Sequence, residues 1–246
     1  MTYLYKWIGL ALYSMECIKL MSTRLLTFVV IVLLFAGCVE VTSAPKTSLG
    51  CDSILNTPFR PLIGMPLTTE QTLQIIEKAY GVRPENVDVR QFPKSNEWTT
   101  VIRWTKRKVS FYLFWNRERL QRSLIVLEEV KPSAQTVIHC VGSSPKWYRA
   151  FYGPRIERKG LDYYFELWFP DEGVVTQTRG TVRDQSKLPD INSTIPIDYI
   201  DIVNPGTVEQ VYTNLGIGSG TLPPDEENPL KPWPEDWDEI QFINGW

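Results

Sequence analysis

The sequence is poor in the residues on which many enzymes depend. It contains one histidine, His139, and four cysteines. It has no glycine-rich phosphate loop, no nucleophile elbow of the G-x-S-x-G type and no cysteine and histidine spacing typical of zinc sites. No motif therefore indicates a nucleotide, a metal or another cofactor, and we predict none.

An excess of positive charge is also missing. The 26 Lys and Arg residues are balanced by 28 Asp and Glu residues, for a formal net charge of −2. Nucleic-acid-binding domains carry a marked excess of basic residues, because Lys and Arg neutralise the phosphates. We therefore predict no nucleic acid partner.

The main apolar run is too short to cross a bilayer. Residues 25–35 read LLTFVVIVLLF, with Thr27 as the one polar residue. This run is about 16 Å long as a helix, whereas a bilayer core requires about 20 residues. Because Arg24 precedes the run and small residues follow it, the pattern is typical of a signal peptide.

The end of this run carries a further motif, Phe35-Ala36-Gly37-Cys38. This FAGC sequence resembles the lipobox of bacterial lipoproteins, although Phe35 stands where that family usually has leucine. The resemblance covers only the leader. It implies cleavage before Cys38, acyl chains on Cys38, and a lipid anchor at the extracytoplasmic side of a cell membrane or outer membrane. Two or three acyl chains hold a protein stably at a bilayer.

The leader leaves three points open. A leader of ordinary length would start at Met21, so residues 1–20 are either an over-called gene start or an extended basic region. The VTSA sequence allows cleavage after Ala44, which would release a soluble secreted protein. The leader could instead stay uncut as a signal anchor.

Beyond the leader, Cys51 and Cys140 form a natural pair. In an oxidising envelope such a pair is expected to form a disulfide. It would close a loop of about 90 residues and contribute about 3–5 kcal/mol in the loop-entropy model. Two buried thiols are the alternative.

Composition divides the chain into four segments. Residues 1–37 form the signal peptide region, and residues 38–66, with their prolines, are predicted to be a lipidated tether. Residues 67–216 are expected to form the folded domain. Residues 217–246 form an acidic tail rich in proline and tryptophan, in which we expect little regular structure.

Three segments that end on glycine are predicted to be short helices. Residues 68–81 and 207–216 each begin with a T-x-x-Q capping box and end at a glycine. Residues 144–153 begin with Ser144 and Pro145, an arrangement typical of a helix start, and end at Gly153.

Alternating apolar residues predict strands between these helices. The predicted strands cover residues 98–104, 109–115, 124–130, 136–141, 163–169, 174–178 and 195–203. We therefore predict an α+β fold, in which antiparallel sheets pack against about three short helices. The helix-plus-hairpin units are expected to repeat loosely along the chain.

Basic residues cluster around the first predicted hairpin. The cluster consists of Arg103, Lys106, Arg107 and Lys108, with Arg117, Arg119 and Arg122 near them in sequence. It is either a surface for anionic head groups or an acidic partner, or a solvated edge protected against aggregation. The acidic tail carries Trp233 and Trp237, and we predict that it folds back on this hairpin to form a joint binding surface.

Two pairs of neighbouring residues suggest catalysis, but geometry opposes both. His139 adjoins Cys140, and adjacent side chains of the predicted strand would point to opposite faces. Asp171 and Glu172 lie together in one tight turn, whereas paired catalytic carboxylates flank a bond from separate elements. We assign no catalytic residue.

These observations favour a lipid-anchored bacterial cell-envelope protein with a non-catalytic binding or structural role. Its partners would be the membrane, through the anchor, and another envelope protein or a glycan. Two alternatives stay open, namely a membrane-tethered enzyme of cell-wall or polysaccharide metabolism and a secreted soluble binding protein.

Overall fold

A computed structural model describes residues 50–92, 98–106, 108–154, 159–216 and 229–245 of the chain. Cys38 and the rest of the predicted leader lie outside these ranges. Within them, no helix combines the length and the apolar character needed to cross a membrane.

The described part of the chain contains four α-helices and ten strands. The helices are α1 (Cys51–Ile54), α2 (Thr69–Tyr80), α3 (Ala134–Val141) and α4 (Val208–Leu215). The strands are β1 (Asp88–Gln91), β2 (Thr100–Lys106), β3 (Val109–Asn116), β4 (Arg119–Leu127), β5 (Trp147–Pro154), β6 (Leu161–Phe169), β7 (Val174–Val182), β8 (Tyr199–Val203), β9 (Lys231–Pro232) and β10 (Ile243–Asn244).

All ten strands belong to one sheet. Their order is β1-β2-β3-β4-β8-β7-β6-β5-β10, and β9 pairs with β5 on the same edge as β10. The pairing is antiparallel throughout, except that β10 runs parallel to β5. The predicted α+β class and antiparallel sheet are thus confirmed.

Two predicted helices are confirmed together with their caps. Before α2, the Thr68 backbone N–H donates to Gln71 Oε1 (3.0 Å), and the Gln71 backbone N–H donates to Thr68 Oγ1 (3.2 Å). Thr207 and Gln210 make the same reciprocal bonds before α4. These bonds satisfy backbone donors that the first turn of a helix leaves free.

The helix predicted at residues 144–153 is wrong, because this segment forms β5. Its aromatic side chains suit a strand, and β5 lies between β6 on one edge and β9 with β10 on the other. Pairing with distant segments therefore overrides the local helix-start signal. Without a helix ending at Gly153, the predicted repeat of helix-plus-hairpin units loses its second member.

The strand predicted at residues 136–141 is also wrong, because these residues lie in α3. Ser133 Oγ accepts a bond from the Thr136 backbone N–H (3.1 Å), and Gly142 ends the helix in the left-handed conformation, with φ of 84°. Both signals are present in the sequence, but the apolar run between them equally fits a short strand.

The helices lie on both faces of the sheet. The first face, with Trp104, Phe111 and Phe165, shares one apolar core with residues of α1, α2 and α3. On the second face, Val211 and Leu215 of α4 pack with a smaller cluster around Trp168. One core thus extends along the first face, and α4 covers part of the second.

The tether predicted at residues 38–66 is wrong for its described part. Ile54, Leu55 and Phe59 are almost fully buried in the core, with at most 1% of their surface exposed. The folded unit therefore begins well before residue 67.

The tail also contributes more structure than predicted. Its strands β9 and β10 pair with β5, and Ile240 between them is 5% exposed. Trp237 packs against Trp233, with ring centroids 4.9 Å apart, and against Phe165 at 6.5 Å. The tail thus covers the edge of β5 and extends the core.

We predict that Trp237→Ala destabilises the protein by about 2–3 kcal/mol, because it removes a large, partly buried ring from this contact. Urea unfolding of the purified protein measures the loss. Glu235→Ala, an exposed tail position, is the matched control and should change stability by less than about 0.5 kcal/mol. Equal stability of the two variants would contradict the packing role of the tail.

Candidate functional site

The predicted basic cluster does not form one patch. Lys106 and Lys108 flank the turn between β2 and β3, where Lys108 pairs with Glu129. Arg117 and Arg119 lie at the opposite end of β3, about 24 Å away along an eight-residue strand. Arg119 donates to the Gly64 carbonyl (3.2 Å). Arg107 lies outside the described residues.

The tail tryptophans lie at the other end of the sheet from this hairpin. The Trp233 backbone N–H donates to the Lys146 carbonyl (3.0 Å), and its ring meets Tyr148 at 6.1 Å. Five strand spacings separate β3 from β5, or about 24 Å. For residues 229–245, the tail therefore packs at the edge of β5 and not on the basic hairpin as predicted.

Arg103 instead belongs to an aromatic strip on the second face of the sheet, which we define as Arg103, Tyr112 and Phe114. The Arg103 guanidinium lies 5.2 Å from the centroid of the Tyr112 ring, and Tyr112 stacks with Phe114 at 6.4 Å. Both rings are half-buried, and Arg103 is exposed. The strip thus places aromatic rings and a cation side by side, and Phe114 also contacts the Trp98 ring (centroids 5.1 Å apart) and the Arg122 guanidinium (4.8 Å).

The sequence carries a sign of this strip that the strand prediction did not use. In β3 the residues Phe111, Leu113 and Trp115 face the core, and Tyr112 and Phe114 alternate with them. A strand with one solvated face would have polar residues at those two positions. The apolar residues on both faces of β3 were therefore the sequence signal for the aromatic strip.

A buried charged network on the same second face was not predicted. Glu166 Oε2 accepts bonds from Arg149 Nε (3.1 Å), Arg149 Nη2 (2.7 Å) and Trp168 Nε1 (3.0 Å). Glu166 Oε1 accepts a bond from Gln177 Nε2 (3.0 Å). The side chains of Arg149 and Glu166 are fully buried. Because each carboxylate oxygen has donors, this network satisfies a charge pair inside the protein.

A second buried ion pair joins β4 to β8. Arg122 Nε donates to Asp201 Oδ1 (2.6 Å), and Arg122 Nη1 donates to the Leu215 carbonyl at the end of α4 (3.1 Å). Burial raises the pKa of Asp201, although the neighbouring Arg122 opposes this shift. Arg122, which the sequence placed in the basic cluster, is therefore a structural residue.

The predicted disulfide between Cys51 and Cys140 is present. It connects α1 to α3, with the two Cα atoms 5.0 Å apart. A four-residue helix such as α1 is not stable by itself, so the covalent bond and its buried neighbours hold this segment on the domain.

Three of the four residues in the two neighbouring pairs considered for catalysis are bonded to other residues of the domain. Cys140 is bonded to Cys51, and the exposed His139 lies beside it on α3 rather than on the predicted strand. Asp171 pairs with Lys146 (2.6 Å), and Glu172 accepts a bond from Ser143 Oγ (2.6 Å). As predicted, residues 170–173 form the turn between β6 and β7.

A surface cavity of about 370 Å³ lies among residues of β6, β7 and β8. Tyr164, Arg179 and Tyr199 line it, and the Arg179 guanidinium lies 4.3 Å from the centroid of the Tyr199 ring. Lys131 pairs with Asp198 at its rim. Among the described residues, no group of three or more His, Cys, Asp or Glu side chains is placed to hold a metal ion.

No protein-family model, curated protein or solved structure matches this chain.

We predict that Cys140→Ser lowers the free energy of unfolding by about 3–5 kcal/mol, because the unfolded chain loses a long closed loop. Urea unfolding with and without a reductant measures this. The reductant should destabilise the wild type to the level of the variant and leave the variant unchanged. A wild-type midpoint that does not respond to reductant would contradict the role of the disulfide.

We predict that Arg122→Met and Asp201→Leu each cost about 3–5 kcal/mol, because each leaves an unpaired charge in the interior. The double variant should be more stable than either single variant, because no unpaired charge remains. Urea unfolding of the four proteins in this cycle measures the coupling.

The exposed pair of Lys146 and Asp171 provides the matched control, with 57% and 58% of the two side chains exposed. Its removal should cost less than about 1 kcal/mol. Strictly additive losses for Arg122 and Asp201 would contradict a coupled buried pair.

Proposed function

We propose that this chain is a lipid-anchored protein of a bacterial cell envelope, with a non-catalytic binding or structural role. Cys38 is its lipid-bearing residue. The observation that carries the proposal is the disulfide between Cys51 and Cys140, which is expected in an oxidising compartment. The leader and its FAGC sequence independently indicate export to such a compartment.

The anchor supports a role at the envelope because the folded domain follows it closely in the chain. Cys51 and the buried Ile54 lie soon after Cys38 in sequence. The segment between them is short, so an acylated Cys38 would keep the domain near the membrane surface. Partners within that layer, such as an envelope protein or a glycan, would then be within reach.

The aromatic strip supports binding as the role of the domain. Tyr112 and Phe114 are half-buried, and the adjacent Arg103 adds an exposed cation. Exposed aromatic rings bind sugar rings and apolar side chains by stacking. The buried carboxylates Glu166 and Asp201 are each bonded to an arginine, which favours a structural role for them over a catalytic one.

Replacing Cys38 tests the anchor. Cys38→Ser should release the protein from the membrane fraction, raise its signal in the soluble fraction and remove incorporation of a labelled fatty acid, because the thioether-linked acyl chains can no longer form. Cell fractionation and metabolic labelling measure these changes. Ser48→Ala, at a position downstream of Cys38, is the control and should change neither the fractionation nor the labelling.

Mass spectrometry of the mature N-terminus separates the alternatives. An acylated Cys38 agrees with the anchor, whereas a free N-terminus at Pro45 would establish the secreted form. If Cys38→Ser protein sediments with membranes and migrates on gels as the wild type does, the anchor proposal is wrong.

A further inference from the structure

The two edges of the sheet differ in whether another segment of the chain covers them. At one end, the tail strands β9 and β10 pair with β5 and occupy its outer edge. At the other end lies β1, which in the described part of the chain pairs with β2 alone. A sheet edge presents backbone N–H and C=O groups that can pair with another extended segment. Among the residues that the structure describes, the chain therefore covers one edge of the sheet and leaves the other without a pairing strand.

The surface of β1 is unusual for this protein. All four residues, Asp88–Gln91, are exposed. Val89 at 36% exposure and Phe92 at 41% are two of the three large hydrophobic residues that are prominently exposed in the described chain, with Met65 as the third. The edge thus combines free backbone groups with apolar side chains, a combination typical of strand-to-strand association.

We propose that two copies of the chain associate through antiparallel pairing of their β1 strands about a two-fold axis centred on Val89. The pairing joins the two sheets into one continuous sheet. The proposed pairing rests on the charges of β1 and requires no ligand. It does not depend on the lipid anchor.

The charges of the sequence DVR favour Val89 as the centre over either of its neighbours. Residues directly opposite each other in an antiparallel pair lie on the same face of the sheet, so a two-fold axis normal to the sheet must pass through a residue position. Centred on Val89, the axis places Asp88 of each copy opposite Arg90 of the other. Centred on Asp88 or on Arg90, it places like charges opposite each other, which is unfavourable.

The geometry of the single chain agrees with this register. Arg90 Nη2 lies 2.8 Å from Asp88 Oδ2, so the two side chains share one face of the sheet and reach each other's position. Both are well exposed, at 64% and 45%. The register also places Val89 against Val89 on the other face, which removes an exposed apolar side chain from water. A two-fold interface of this kind is closed, because each copy uses the same strand.

Charge reversal tests the proposal with two differently tagged full-length copies that are co-expressed and purified in detergent. Asp88→Arg alone places Arg opposite Arg, and Arg90→Asp alone places Asp opposite Asp. Each single variant should lose co-purification with its own kind by about tenfold or more, since two favourable cross-strand pairs become unfavourable.

The decisive sample combines the two single variants. When one tagged copy carries Asp88→Arg and the other Arg90→Asp, both cross-strand pairs are again of opposite charge, and co-purification should return to within about twofold of wild type. A chain carrying both changes should also associate with itself, which shows that neither change prevents folding. Lys146→Asp and Asp171→Lys, at the similarly exposed pair near the other end of the sheet, are the controls and should leave co-purification unchanged.

Three results would overturn the proposal. Wild-type copies that do not co-purify show that the chain does not self-associate. Single variants that co-purify as well as wild type place the contact at another surface. Failure of the mixed variants to recover, while the doubly changed chain associates, excludes the register centred on Val89.

Discussion

The pairing of β4 with β8 holds the sheet together. Strands β1 to β4 form one run of antiparallel neighbours and β5 to β8 form another, and residues 122–126 join the two by pairing with residues 199–203. The buried pair of Arg122 and Asp201 spans this seam, and Leu215 of α4 supplies a further acceptor. Desolvated charges of this kind tolerate few arrangements, so they favour one alignment of the two runs.

Capping boxes in the sequence located two of the helices, α2 and α4. Thr68 with Gln71, and Thr207 with Gln210, predicted the starts of α2 and α4, because a capping box depends only on residues three positions apart. Alternation likewise predicted β2 and β3, which are joined by a short turn. These features are determined by residues within the element or close to it in sequence.

Features that depend on distant segments were not predictable in this way. The sequence before β5 has the signals of a helix start, but pairing with β6 and the two tail strands makes the segment a strand. Arg122, Arg149 and Glu166 occupy polar positions of alternating strands, which normally face water, and nothing near them in sequence indicates that they are buried. The disulfide was predictable because two cysteines beyond the leader allow a single pairing.

The tail strands β9 and β10 can cover the edge of β5 only late in translation. The outer edge of β5 is covered by β9 and β10, which are synthesised after all the other strands of the sheet. During translation the earlier strands can emerge and pair, but the outer edge of β5 stays uncovered until residues 231–244 have left the ribosome. A chain that stops early at a premature termination codon would therefore display an uncovered strand edge, and such products are expected to aggregate or to be degraded rather than to accumulate as shortened folded protein.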